Sequence, residues 1–169
     1  MALPPSSSGA MARVRGVIGF ALLIVAAFGV RPLAPANVDV DFALIAVLFS
    51  AVRLRPGLGA VIGFLVGFAL DAMAPGSFGA HALALTLIGY GASWLKAVFF
   101  ADHVGLTGLF VFTGKWLLDI ALVLLTGVST GISLVITLLV WSPLSAALTA
   151  GVAVLLLVMF RPLYRPQSL

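Results

Sequence analysis

Gly59-Ala-Val-Ile-Gly63-Phe-Leu-Val-Gly67-Phe-Ala-Leu-Asp71 lies within an apolar run, Gly57–Met73, that holds no charge before its last turn. As a helix rising about 1.5 Å per residue, the run is about 26 Å long, close to a bilayer hydrocarbon core of about 30 Å. Gly59, Gly63, Gly67 and Asp71 recur every four residues. In an α-helix they form one slowly rotating stripe, because four residues overshoot a turn by about 40°. Small residues in such a stripe let a second backbone approach closely, which is how helices associate where lipid removes the hydrophobic drive. Packing inside the chain's own bundle is favoured over contact with a foreign helix.

Composition extends this reading to the whole chain. Of 169 residues, 63% are hydrophobic and 8% charged, whereas soluble domains average about 25% charged. So few charges cannot cover a soluble surface. Apolar runs of this length exclude a β-barrel, whose strands alternate over roughly ten residues. The chain is therefore read as all-α, a polytopic membrane helical bundle of about six transmembrane helices. The apolar segments are Val14–Val30, Asn37–Val52, Gly57–Met73, His81–Phe99, Gly105–Val128 and Pro143–Phe160. Residues 1–12 read as a disordered segment, 13–165 as one transmembrane domain and 166–169 as a tail. Ala34-Pro35-Ala36 imitates a signal cleavage site, but Arg31, Pro32 and Pro35 oppose cleavage and favour a retained first helix. Ile132–Val140 is too short to span. It reads either as an extension of the last helix kinked at Pro143 or as an interfacial helix ended by Trp141.

Charge placement predicts orientation. With the amino terminus in the cytoplasm, Arg13, Arg15, Arg53, Arg55, Lys96, Arg161 and Arg165 fall inside and Arg31 outside, the expected positive-inside bias. Both termini are then cytoplasmic. A net charge of +4, scattered along the chain, does not point to nucleic acid. The absence of cysteine excludes disulfides and thiolate chemistry.

Polar residues inside apolar segments are the candidate functional positions. Asp71 ends its helix, where the macrodipole disfavours a negative charge. It reads either as a solvated or loop-capping carboxylate, or as a partner contact or a pair with His81 across the loop. Lys115 and Asp119, four apart, share a helix face. Intramembrane charges default to a functional reading, but a single pair makes no relay, and a structural pair facing the bundle interior is favoured. His81 and His103 fall on opposite membrane sides in this topology, so they form no shared metal site. The chain has no Glu, and no phosphate loop or nucleophile elbow appears. No catalytic, cofactor or metal residue is expected.

The glycine–aspartate block, followed by Gly76, Gly79 and His81-Ala-Leu-Ala-Leu, resembles the rod shape-determining MreD family. The basic turn Arg53-Leu-Arg-Pro-Gly57 ahead of it fits that order, as do Ser142-Pro143 and the closing Phe160-Arg-Pro-Leu-Tyr164. The resemblance implies a non-enzymatic component of the bacterial elongation machinery in the cytoplasmic (inner) membrane. Its implied partners are an MreC-like single-span protein, and with it RodA, a class B penicillin-binding protein and MreB. It also implies a fold related to the substrate-binding subunits of energy-coupling-factor transporters. The alternative function is therefore a small solute-binding subunit of a vitamin transporter, with a polar pocket from Asn37, Asp41, Asp71 and His81.

Overall fold

The computed structural model describes residues 18–27, 29, 40–73, 79–95, 104–127 and 131–160. Segments 1–12 and 166–169 lie outside these residues, as do Asn37, Asp39, Lys96, Asp102, His103 and the basic residues near both termini. Among the described residues every regular element is helical. The chain is an all-helical membrane bundle.

Helix α1 is Ile18–Ala27, and it lays Phe20, Leu23, Ile24 and Ala27 against the core. Helix α2 is Phe42–Ala51, shorter than the apolar run from Asn37 to Val52 predicts. The reason is local: Asp41 Oδ1 accepts the Leu44 N–H at 2.9 Å, so the aspartate caps the helix and fixes its start. Ten residues rise about 15 Å, about half of a hydrocarbon core. Helix α2 is the centre of the bundle. Ala43 to Leu48 and Ala51 are all buried, as a helix apolar on every side requires. It touches Pro56–Met73, Ala80–Trp94, Val104–Thr126 and Ser142–Phe160.

A tight turn joins α2 to α3, closed by Arg53 N–H to Ser50 O and Leu54 N–H to Ala51 O, both 3.1 Å. Pro56 opens α3, Pro56–Met73, at the position where a missing N–H costs nothing. Helix α4, Ala80–Trp94, follows Gly79, whose φ of 95° is a left-handed conformation that favours glycine. Helix α5 is Val104–Thr126.

Helix α6 settles the reading of the apolar stretch before Pro143. Ile132–Ile136, a π turn at Thr137–Trp141, and Ser142–Phe160 run on without a break. This is the extension of the last helix, not a separate interfacial one. Pro143 lacks an N–H, which disturbs the ladder one turn upstream. The Ser142 N–H accordingly reaches back five residues to Thr137 O, and the extra residue is absorbed as a π turn.

Among the described residues, three helices are long and apolar enough to cross a membrane: Pro56–Met73, Gly105–Thr126 and Ile132–Met159. Polarity is arranged for lipid as solvent. Leu58, Phe64, Leu65, Leu87, Leu124 and Leu155 face outward, while Asp71, His81, Ser93, Lys115, Ser142, Ser145 and Thr149 are buried. Each buried polar group then needs a partner inside the protein.

Candidate functional site

The glycine stripe faces α4 of the same chain. A Cβ on Gly59 would strike Ser93 Oγ and the Gly89 carbonyl, one on Gly63 the Leu85 carbonyl, and one on Gly67 the His81 carbonyl and Ala82. Each step of four up α3 meets a step of four down α4. The two helices therefore stay antiparallel and in backbone contact over about two turns. Gly89 returns the same contact, since its own Cβ would strike the Gly59 carbonyl. At the far end Ser93 Oγ donates to Ala51 O at 2.8 Å and Gly89 O at 3.0 Å, tying the end of α2 to this hairpin.

One turn beyond Gly67, the same register brings Asp71 to the start of α4. Asp71 Oδ2 accepts the Gly79 N–H at 3.0 Å and the Ala82 N–H at 2.9 Å. Oδ1 accepts the His81 N–H at 3.1 Å and pairs with His81 Nδ1 at 2.8 Å. Helix α4 has only glycine at its N-cap, which has no side chain to cap it. A carboxylate from the preceding helix takes that place and satisfies donors that the helix leaves open. The macrodipole objection is also met. The negative end of α3 is unfavourable for Asp71, but the positive end of α4 lies against it. With the carboxylate accepting at Oδ1, the His81 Nδ1 acts as the donor. Asp71 has no solvent exposure, and both its oxygens are taken, so it serves to join two helices and has no open lone pair for proton abstraction.

A second polar cluster joins the other half of the bundle. Lys115 Nζ lies 2.6 Å from Asp119 Oδ1 and 3.8 Å from Asp41 Oδ2. Ser142 Oγ donates to Asp119 Oδ2 at 2.7 Å. The Asp41 N–H donates to Thr149 Oγ1 at 3.3 Å, and Thr149 Oγ1 to Ser145 O at 2.8 Å. One lysine thus sits between the N-cap of α2 and a carboxylate of α5, and hydroxyls of α6 close the ring. Asp41, Ser142 and Thr149 are the members that sequence spacing missed. Asp41 precedes an apolar run, as Asn37 and Asp39 do, and neither its choice as the cap of α2 nor its meeting with Lys115 is marked by spacing. Among the described residues no three of His, Asp and Glu converge as a metal site.

The family model for rod shape-determining protein MreD matches residues 13–167, nearly the whole chain, and so takes in both polar clusters. The chain belongs to the MreD family. Membership brings a role in rod-shape determination and a place in the membrane. Comparison with curated proteins and with solved structures finds no match. The kinship of this MreD-family chain to transporter subunits therefore rests on the family resemblance alone.

Proposed function

We infer that this MreD-family chain is a non-enzymatic scaffold of the cell-elongation machinery. It receives the membrane helix of an MreC-like single-span protein and helps organise peptidoglycan synthesis alongside RodA, a class B penicillin-binding protein and MreB. The observation that carries this reading is the family match over residues 13–167. The use of the polar residues supports it: the four hydrogen bonds to Asp71, the Lys115–Asp41 pair and the Ser142–Asp119 hydrogen bond hold helices together. A platform that presents a fixed apolar surface needs such internal fastening, because lipid offers no hydrophobic drive for its own helices to stay together.

In this reading the protein lies in the cytoplasmic membrane with both ends inside, as the basic residues require. Capture from solubilised membranes tests the function. The tagged chain should co-purify an MreC-like protein and should bind no vitamin-like solute. Retention of a transporter ATPase pair, with submicromolar solute binding, would replace the scaffold by the transporter subunit.

A further inference from the structure

The α6 helix is fastened very unevenly. Below the π turn, Ser142, Ser145, Ala146, Thr149, Ala150 and Ala153 are buried, and this part supplies the main packing of α6 on α5. In the π turn and above it, no residue from Ile132 to Trp141 is buried. Ile132 is 80% exposed and Leu139 65%. The boundary falls where the helix ladder is weakest. Ser142 N–H is drawn to Thr137 O, and Pro143 has no N–H to offer, so the Leu138 carbonyl loses the donors that would normally serve it.

Two hydrogen bonds from α5 meet this boundary. Trp116 Nε1 donates to Leu138 O at 3.3 Å. Ser142 Oγ donates to Asp119 Oδ2 at 2.7 Å, and the other oxygen of that carboxylate holds Lys115. The donor that stands in for the missing ladder bond and the acceptor that holds Ser142 are three residues apart on α5, so one face of α5 grips the turn from both sides.

We propose that Ile132–Trp141 is an arm that pivots where the π turn meets Ser142, with Trp116 as the latch that holds it against α5 through Leu138 O and the Asp119–Ser142 hydrogen bond as the anchor on the fixed side of the pivot. The arm is ten residues, about 15 Å long. A pivot of about 20°, the size of an ordinary helix kink, moves its tip about 5 Å. The anchor links the pivot to the centre of the bundle, because the Asp119 that holds Ser142 also pairs with Lys115, which reaches the cap of α2. A change at the α2 cap thus reaches the pivot through Lys115 and Asp119.

The chain has no cysteine, so spin-label pairs can be placed on it without removing native thiols. The full chain in lipid nanodiscs is labelled at Ile132→Cys with Leu87→Cys across the arm, and at Leu155→Cys with Leu87→Cys as the fixed reference. All three positions are exposed. The double variant Trp116→Phe/Ser142→Ala keeps the ring and the helix but removes both donors. Its arm distance distribution should broaden by about 5 Å, while the reference pair keeps its width. Pro143→Ala restores a donor and should narrow the arm distribution below that of the parent. An unchanged arm distribution in the double variant would overturn the hinge. Equal broadening of both pairs would overturn it too, since that is loosening of the whole bundle.

Discussion

Asp71 is the residue whose environment most constrains its replacement. Removing its carboxylate strands the N–H groups of Gly79, His81 and Ala82 and the His81 ring nitrogen together. A buried donor left without a partner costs about 1–3 kcal/mol, so Asp71→Ala should cause a large drop in melting temperature in detergent. Asp71→Asn keeps one acceptor oxygen but turns an amide donor toward backbone N–H groups, and should lie near Asp71→Ala. His81→Ala removes the ring and leaves the three backbone bonds, so it should melt well above either. Tryptophan fluorescence on heating reads all three, and equal melting of His81→Ala and Asp71→Ala would show that the cap on α4 contributes little.

Among the elements, the α3–α4 pair depends on the absence of side chains. Gly63→Leu must push its whole side chain into the Leu85 carbonyl, and overpacking of this kind costs about 1–3 kcal/mol. Gly91, also on α4, has nothing within reach of an added Cβ, so Gly91→Ala should be neutral or stabilising by up to about 1 kcal/mol. Similar melting of Gly63→Leu and Gly91→Ala would mean that the stripe is not a backbone contact. The stripe was legible in advance, because a four-residue repeat of glycine marks a helix face that a second backbone can approach, but nothing in that repeat names α4 as the partner. The start of α2 was not. Hydropathy carries no mark where Asn37-Val-Asp39-Val-Asp41 gives way to helix, and the boundary is set by one side-chain bond from Asp41 to Leu44. Nor was the π turn of α6, since Pro143 announces a disturbance without saying whether the helix breaks, bends or gains a residue.

Across the whole molecule, α2 is a core that two helix hairpins share. Asp71 fastens α3 to α4, while the Lys115 cluster joins α2, α5 and α6. Lys115→Met should be strongly destabilising, because it leaves Asp119 and Asp41 without their cation; breaking a buried pair by removing one partner costs about 3–5 kcal/mol. These carboxylates are partly exposed, which lowers that figure. Lys115→Met/Asp119→Asn removes one of the two uncompensated charges and should recover part of the loss, a coupling that a double-mutant cycle in denaturant measures. A double variant less stable than Lys115→Met would mean that the cluster's hydrogen bonds outweigh its charge. The sequence put Lys115 and Asp119 on one face, but bringing Asp41 and Thr149 to them depends on how three helices cross, which no local spacing encodes. Orientation belongs to this scale as well. Reporter fusions after Arg55 and Arg165 should read cytoplasmic and a fusion at Gly76 external. A cytoplasmic signal at Gly76 would end the both-ends-inside arrangement.

The cap that α3 lends to α4 also bears on how the chain is made. When the ribosome has released α3 but not yet α4, Asp71 has none of its four donors, and an unpaired carboxylate weakens a segment's entry into lipid. Gly79, His81 and Ala82 emerge within about a dozen residues and remove that handicap. The two helices should therefore leave the insertion machinery as a hairpin. In cell-free insertion assays a chain truncated after Met73 should integrate less well than the same chain carrying Asp71→Leu, and extension through Trp94 should erase the difference.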